Sequence, residues 1–408
     1  MKIHRTLVQA VIETLQQIFI GGVYADKAVE QVLKQNPRWG SRDRRFIAET
    51  TYEMVRWWRS LTLTLSKGEG TSASHYYKLF AVWQILKGVE LPDWEEFSNI
   101  DKEQILKRSE EVKLIRKYRE SIPDWLDEIG SKELGEVVWE KELHELNKEA
   151  QVVLRVNTLK TTSEKLYQLL IAKDIVVEQF TNTSPLWGEI KRGVLVLLKR
   201  QNLQQLDEYK QGLFEIQDAS SQLIAPFLQL NEGMTVIDAC AGAGGKSLHI
   251  AAMMKNTGKI ISMDVEERKL TELKRRADRA GASIIQTQVI KENTIHKYKN
   301  TADRLLLDVP CSGLGVIRRN PDAKWKLTLD FINQIKQTQQ KIISEYSEML
   351  KPGGIVVYAT CSILPSENQD QVALFLKERE KEFELISDRK VLPSEGFDGF
   401  YMAAIRKK

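Results

Sequence analysis

The chain has 408 residues, 42% hydrophobic and 28% charged, a balance that excludes a disordered chain and is typical of a soluble globular protein with two or three domains. Its formal net charge of +4 permits a nucleic-acid partner without requiring one. Three scattered cysteines argue against a disulfide framework and make a poor zinc site. No apolar run approaches the ~20 residues of a membrane span, and the N-terminus has no run of signal-peptide length. We therefore predict a cytoplasmic protein with no metal and no membrane partner.

Residues 1–145 are predicted to form an all-helical domain. Apolar residues recur at helical spacing at Val8, Val11, Ile12, Leu15 and Ile18. The same spacing occurs at Phe46, Tyr52, Val55 and Trp58, and a third apolar block covers Tyr77–Lys87. Gly21-Gly22 indicates a break between the first two helical blocks.

Residues 146–215 are predicted to form a small α+β module. Val152–Val156 and Val194–Leu198 are candidate strands, and Lys165–Ala172 is a candidate helix between them. A repeat of strand, turn and helix then begins, and a third domain is predicted over residues 216–408.

The third domain repeats a pattern of strand, turn and helix. Strands are predicted at Thr235–Asp238, Lys259–Met263, Ile284–Thr287, Leu305–Asp308 and Ile355–Ala359. Helices are predicted from Leu248 to Met254, from Glu267 to Ala280, and from Phe331 to Leu350, where Pro352-Gly353-Gly354 stops the last one. This alternation predicts an α/β fold with a mostly parallel, doubly wound sheet, whose ligands bind beyond the carboxyl ends of the strands.

The residues after the first two strands of this sheet indicate an adenosine-containing ligand. The first strand leads into a glycine-rich turn before a helix N-terminus, Cys240-Ala241-Gly242-Ala243-Gly244-Gly245-Lys246. The second ends at Asp264, about 20 residues on, where nucleotide-binding sheets place a carboxylate against ribose hydroxyls. Glu266 is a second candidate for that role. Each feature also has a structural alternative. The glycine-rich segment could be only a tight strand-to-helix turn, and Asp264 could be only a solvated acidic turn or helix cap.

Gly245-Lys246-Ser247 also resembles the end of a P-loop. That motif requires a glycine at position 240, where this chain has Cys240. Because Leu305–Asp308 could imitate a strand that carries a magnesium-binding aspartate, an ATPase remains the alternative enzyme class.

Two cysteines follow apolar strands at the same sheet edge. They lie in Asp308-Val309-Pro310-Cys311-Ser312-Gly313 and in Tyr358-Ala359-Thr360-Cys361-Ser362. A single buried cysteine is usually inert, but two at a ligand-binding edge beside Asp308 make a plausible nucleophilic site.

A basic segment follows the first of these cysteines. It contains Arg318, Arg319, Lys324 and Lys326, with Trp325 among them. Such a segment suits phosphate contacts and base stacking, which indicates RNA binding; a solvated loop is the alternative.

Together these motifs resemble the Sun family of RNA cytosine-5 methyltransferases, most closely its bacterial RsmB-like branch. The paired Pro-Cys and Thr-Cys motifs are the specific part of the resemblance. The remaining matching segments are residues 154–157, 217–222, 238–246, 315–325, 360–369 and 396–400. The helical N-terminal region resembles the NusB-like RNA-binding domain of that branch.

The resemblance implies a Rossmann-like sheet with S-adenosylmethionine as the cofactor. Cys361 would be the nucleophile, Cys311 would assist release of the methylated product, and Asp308 would contact both the cofactor side and the cytosine. The turn of residues 240–246 would hold the methionine end of the cofactor, and Asp264 its ribose. The implied partner is RNA, with 16S ribosomal RNA the first expectation, and we expect a monomer.

The sequence departs from the family pattern at two places. Ala243 stands where the family usually has proline, and the aspartate expected against adenine falls near Ile290, so that Glu292 or Asn293 would have to replace it. The remaining alternative is an RNA-binding protein that keeps a non-catalytic methyltransferase sheet.

Overall fold

A computed structural model describes residues 3–65, 72–180 and 193–408, and the chain divides into two compact units. The helical unit combines Met1–Lys148 with Ile317–Leu329, and the α/β unit combines Glu149–Val316 with Asp330–Lys408. Among the described residues, none of the helices is both long enough and apolar enough to cross a membrane.

The helical unit confirms the predicted helical character of the N-terminal region. Its helices cover Arg5–Phe19, Ala25–Gln35, Ser41–Arg56, Trp58–Leu65, Ala73–Leu86, Lys102–Lys113, Arg116–Arg119, Asp124–Leu134 and Glu136–Leu146. The apolar stripe of the first helix, including Val8, Val11 and Leu15, is buried in the core of the unit. The predicted break at Gly21-Gly22 separates the first two helices. The NusB-like and RNA-binding character of this unit remains a prediction.

The segment Ile317–Leu329 packs inside the helical unit, which corrects the expectation that its basic residues are exposed for RNA. Lys324 is only 1% exposed, and its ammonium donates to Asn147 Oδ1 at 2.6 Å and to three backbone carbonyls, those of Arg56, Glu120 and Ser121. Trp325 packs against the helical core and donates from Nε1 to the carbonyl of Val55 at 2.8 Å. The pattern of basic and aromatic residues therefore serves a structural role at these two positions.

The first part of the α/β unit is the predicted α+β module. In the described part of the chain it has strands β1 (Val152–Val156), β2 (Val177–Gln179), β3 (Val194–Leu197) and β4 (Phe214–Ile216), with helices Ser163–Ile171 and Asp207–Lys210. The sheet is antiparallel with order β2-β3-β1-β4. β1 has the predicted bounds, whereas β2 and β4 were not predicted because each has only three residues.

The larger sheet has the predicted doubly wound architecture. Its strands are β5 (Thr235–Asp238), β6 (Lys259–Asp264), β7 (Ile285–Val289), β8 (Ala302–Asp308), β9 (Leu350–Thr360), β10 (Phe383–Val391) and β11 (Phe400–Lys407). Among the described residues the order is β10-β11-β9-β8-β5-β6-β7, and β11 runs opposite to the other six strands. The accompanying helices cover Ala219–Gln222, Ile224–Phe227, Gly245–Met253, Glu267–Ala280, Thr294–Lys297, Leu329–Tyr346 and Gln369–Glu378.

The Pro352-Gly353-Gly354 sequence has a different role from the predicted one. The long helix ends at Tyr346, and β9 already begins at Leu350. The pairing of β8 with β9 shifts from Ala302–Leu350 to Arg304–Ile355, so that residues 351–354 form a bulge in β9. Gly353, with φ of 75°, lies in this bulge. Proline and glycine are tolerated there because a bulge leaves ladder hydrogen bonds unmade.

The strand order places the ligand crevice at β5. The chain runs from β5 to β6 and β7 on one side and then returns to β8 and β9 on the other side. Such a reversal opens a crevice at the carboxyl ends of the two central strands. The glycine-rich turn after β5 and the Pro-Cys motif after β8 both lie at these ends.

Candidate active site

The glycine-rich turn is held in an open conformation against the end of β6. Gly242 and Gly244 have φ of 53° and 87°, which favour glycine. The Gly242 N–H donates to Asp264 Oδ2 at 2.9 Å, and Asp264 Oδ1 accepts from the Glu266 N–H at 2.9 Å. The structure thus brings Asp264 and the turn together, as predicted from their spacing.

Two arginines, which the sequence analysis missed, fix the carbonyl groups of the turn. Arg155, on β1, donates to the carbonyl of Gly245 at 2.6 Å, and Arg276 donates to that of Ala243 at 2.7 Å. Burial lowers the pKa of Arg155 to about 9. Because both arginines are far from the turn in sequence, only the family-like segment around Arg155 hinted at such a role.

A buried polar chain lies under the turn. The Ser247 hydroxyl donates to Asp238 Oδ2 at 2.6 Å, and the Ser262 hydroxyl donates to that of Ser247 at 2.9 Å. Burial is the main cause that raises the pKa of Asp238 to about 7, and burial also raises the pKa of the Cys240 thiol.

The site fits the methionine end of S-adenosylmethionine. Asp238 Oδ1 is buried without a hydrogen-bond partner. A Cβ built on Gly242 would meet no heavy atom within 4 Å, so the turn leaves open space on that side. A glycine turn, an acceptor without a partner and the Asp264 carboxylate suit a ligand that carries an ammonium group and ribose hydroxyls.

Lys246 and Asp308 form an ion pair where the turn meets the end of β8. Lys246 Nζ donates to Asp308 Oδ2 at 2.6 Å, with side chains 15% and 27% exposed. Burial lowers the pKa of Lys246, but the charge and hydrogen bond of Asp308 outweigh it, so the net pKa is raised. The negative charge of a Cys361 thiolate raises it further. Lys246 is therefore a protonated donor at this edge.

The two cysteines meet beside this ion pair. Asp308 on β8 pairs in register with Ala359 on β9, so the loops that follow the two strands lie side by side. Cys311 Sγ and Cys361 Sγ are 3.3 Å apart, and both side chains are partly buried. The hydrogen bond to Cys361 and burial raise the pKa of the Cys311 thiol. Either sulfur can donate the proton of this contact, so the two thiols are close enough to exchange it.

The C-terminal Gly-Phe-Asp-Gly-Phe sequence supports the loop that carries Cys361. The Gly315 N–H donates to the Cys361 carbonyl at 2.9 Å, and the Gly399 N–H donates to the Gly315 carbonyl at 2.8 Å. A Cβ on Gly315 would lie 2.2 Å from the Gly399 carbonyl oxygen and 2.8 Å from that of Cys361. This close backbone approach explains glycine at both positions.

The expected adenine contact is left open. Ile290 follows β7 next to Asp264, whose carbonyl accepts from the Ile290 N–H at 2.9 Å. Glu292 and Asn293, the two proposed replacements for the missing aspartate, are exposed. In the described ranges no group of three or more His, Cys, Asp or Glu side chains could hold a metal ion.

Comparison with known proteins shows which family this chain resembles. Residues 225–406 match the family model described as 16S rRNA methyltransferase RsmB/F, and residues 122–184 match the ferredoxin-like domain of RsmF/B-like methyltransferases. A probable ribosomal RNA small subunit methyltransferase B of Bacillus subtilis is 34% identical over 62% of this chain and 59% of its own length. A protein of the same description from Synechocystis is 28% identical over 94% and 95%.

A solved structure, that of PH0851, covers 100% of both chains with a TM-score of 0.82 at 22% identity. This likeness confirms the fold. The match with the Bacillus subtilis relative spans less than two thirds of that protein. The matched models, the relatives and the Rossmann-like sheet favour a methyltransferase over an ATPase. The chain belongs to the RsmB/F methyltransferases of the Sun family, whose cofactor is S-adenosylmethionine.

Proposed function

We propose that this protein transfers a methyl group to carbon 5 of a cytosine in RNA, through a covalent bond between Cys361 and the base. The observation that carries the proposal is the contact of Cys311 Sγ and Cys361 Sγ at 3.3 Å, beside the Lys246–Asp308 ion pair. A single nucleophile would need only one cysteine here, whereas addition followed by elimination uses a nucleophile and a second proton-carrying group.

The first step is addition of the Cys361 thiolate to carbon 6 of the cytosine. Carbon 5 is a poor nucleophile, and the new C–S bond converts the ring into an enamine that is reactive at carbon 5. Attack needs the thiolate form, whose negative charge interacts with the protonated Lys246 ammonium nearby. The base must be unpaired or flipped out of a helix to reach the sulfur.

Asp308 and Lys246 would stabilise the charge that develops on the ring. The addition moves electron density toward nitrogen 3, where a proton or a hydrogen bond is needed. Lys246 engages Asp308 Oδ2, and Asp308 Oδ1 is our candidate for the contact with nitrogen 3. Because the Lys246 ammonium lies 2.6 Å from the carboxylate, it can supply the proton that Asp308 shares with the base. The turn of residues 240–246 would hold S-adenosylmethionine, whose sulfonium methyl would pass to carbon 5 and leave S-adenosylhomocysteine.

Cys311 would act in the last step, in which carbon 5 loses its proton and the bond between carbon 6 and Cys361 breaks. The main cause of the raised Cys311 pKa is its hydrogen bond to Cys361. Once Cys361 is a thioether, its sulfur is a much weaker hydrogen-bond acceptor. The hydrogen bond then raises the Cys311 pKa less, and Cys311 becomes more acidic. The second cysteine thus becomes able to exchange protons after the adduct has formed.

The names of the relatives support ribosomal RNA as the proposed substrate. The matched family and the two curated relatives carry names of small-subunit ribosomal RNA methyltransferases, so 16S ribosomal RNA is our proposed substrate. Methyl transfer from labelled S-adenosylmethionine to unmodified 16S RNA is the test, with transfer RNA in parallel. Label is expected as 5-methylcytosine in 16S RNA; label confined to transfer RNA would reassign the substrate.

The two cysteine variants control for each other. Cys361→Ala should abolish turnover and leave no covalent protein–RNA complex on a denaturing gel. Cys311→Ala should allow methyl transfer but accumulate that complex. Turnover by Cys361→Ala would move the nucleophile to Cys311, and identical behaviour of both variants on the gel would refute the division of roles. Cofactor binding without label on any RNA would favour the non-catalytic RNA-binding alternative.

A further inference from the structure

A fully buried carboxylate lies between the two cysteine loops. Glu367 has 0% exposure and follows the Thr-Cys-Ser loop in a short turn, Pro365–Glu367. Its Oε2 accepts from the Ser312 N–H at 2.8 Å and from Gln339 Nε2 at 3.1 Å. Its Oε1 accepts from the Ser312 hydroxyl and, at 2.5 Å, from the Ser362 hydroxyl. All four donors are uncharged.

Each of these serines directly follows one of the two cysteines. The Ser312 and Ser362 hydroxyl oxygens are 3.2 Å apart, and each accepts from a backbone N–H two residues further on. Gln339 also donates to the carbonyl of Pro310, which precedes Cys311, at 3.0 Å. The Glu367 side chain is thus the common acceptor that joins the loop of Cys311 to the loop of Cys361.

The backbone of Glu367 is fixed as well. The Tyr358 hydroxyl, from β9, donates to the Glu367 carbonyl at 2.7 Å. The neighbouring Asn368 donates from Nδ2 to the Ser362 carbonyl at 3.0 Å. A buried carboxylate costs several kcal/mol unless hydrogen bonds offset it, and here four donors converge on one group. An apolar side chain could fill this volume but could not hold both serine loops.

We propose that Glu367 is a positioning residue, which holds Cys311 Sγ and Cys361 Sγ at contact distance by tying together the serines that follow them. The consequence for catalysis rests on the proposed function above. Without the carboxylate, the two loops lose their shared anchor, and the sulfur atoms separate. The proton exchange between the cysteines should then fail before cofactor binding does, since none of the four hydrogen bonds to the Glu367 carboxylate involves Asp264 or the glycine turn.

The test measures the distance between the sulfur atoms without RNA or cofactor. Diamide, a diazene, takes two electrons and two protons from two thiols and leaves a disulfide. The rate of Cys311–Cys361 disulfide formation, located by mass spectrometry, reports how often the two sulfur atoms meet. We expect Glu367→Ala to slow this rate by about tenfold or more, since a shift of about 1 Å misaligns reacting groups.

Glu367→Gln should stay within about threefold of the wild-type rate. Its carboxamide oxygen can still accept from the Ser312 and Gln339 N–H groups, and the serine hydroxyls can rotate to accept from its NH₂ group. The rate of methyl transfer should fall more in Glu367→Ala than in Glu367→Gln, and the KM for S-adenosylmethionine should be unchanged in both. Because the disulfide readout needs no substrate, it remains decisive if the proposed methyl transfer is wrong.

The matched control is Glu208→Ala. Glu208 is also a buried carboxylate, at 5% exposure, but it pairs with Lys173 in the α+β module. A wild-type disulfide rate in folded Glu367→Ala, or equal slowing in Glu208→Ala, would overturn the proposal. If Glu367→Ala does not fold, Ser362→Ala replaces it as the test. This change removes one hydroxyl donor and should slow disulfide formation by about threefold. A wild-type rate of disulfide formation in Ser362→Ala would overturn the proposal.

Discussion

Substitution of Gly244 by alanine tests whether the shape of the cofactor turn is set by the packing under it. Gly244 has φ of 87°, and a Cβ there would lie 2.5 Å from Leu273 Cγ and 3.0 Å from its Cδ1. The left-handed backbone costs a non-glycine residue about 1–2 kcal/mol. Forcing the new methyl group against a packed leucine adds about 1–3 kcal/mol. We expect Gly244→Ala to lower the free energy of unfolding by about 2–5 kcal/mol.

The same turn supplies two matched controls. Gly242 has φ of 53°, but its Cβ would meet no atom within 4 Å, so Gly242→Ala should cost only the backbone strain, about 1–2 kcal/mol. Gly245 begins the following helix, and its Cβ would lie 3.9 Å from the nearest atom, of Arg276. Gly245→Ala should therefore be neutral or stabilising by up to about 1 kcal/mol.

Urea unfolding followed by circular dichroism gives the three free energies. Leu273→Ala, combined with Gly244→Ala, should then recover about 1–3 kcal/mol relative to the sum of the single changes, because the clash is gone. Equal losses for Gly244→Ala and Gly242→Ala, or a double variant without recovery, would refute the steric part of the argument. Gly244→Ala as stable as Gly245→Ala would refute the whole of it.

Three further changes test other parts of the structure. Lys324→Met removes the ammonium that four oxygens accept from and should lower the free energy of unfolding in urea by about 3 kcal/mol or more. Lys341→Met, at a side chain 70% exposed, should have little effect. The pKa of Asp238 in the folded protein, about 7, lies above the ordinary aspartate value of 3.8, so stability falls as pH rises from about 4 to 7. Asp238→Asn should remove this fall, which amounts to about 1.4 kcal/mol per pH unit, in urea titrations across that range. Asp264→Ala should weaken S-adenosylmethionine binding, measured by calorimetry, by about tenfold or more, and unchanged binding would exclude the proposed ribose contact.

The strands around the active site were predictable because their pattern is local. β5 and the helix Glu267–Ala280 have the predicted bounds, and β6 and β8 end at or within one residue of the predicted ends. In a buried parallel strand the apolar run itself identifies the strand, and the glycine or acidic residue after the run identifies its carboxyl end. The residues at the carboxyl ends, including both cysteines, could therefore be found from sequence.

The residues that support the site could not be found in this way. Arg155, Arg276 and Glu367 act on groups that come from distant parts of the chain, and no local pattern distinguishes them from other charged residues. Strands β10 and β11 were also not predicted. β10 is exposed at most positions, so its sequence lacks a continuous apolar run, and it is fixed by its pairing with β11.

The segment that contains Lys324 and Trp325 also imposes an order on synthesis of the protein. The helical unit needs Ile317–Leu329, yet 168 residues, from 149 to 316, separate this segment from Lys148. At roughly 5–20 residues per second, a ribosome takes about 10–30 s to cover that interval. During that time the nascent helices lack the Trp325 ring, and the oxygens that bind Lys324 have no ammonium partner. The first unit to be translated is therefore completed only after β5–β8 of the second have left the ribosome, and a fragment that ends at Lys148 should be unstable.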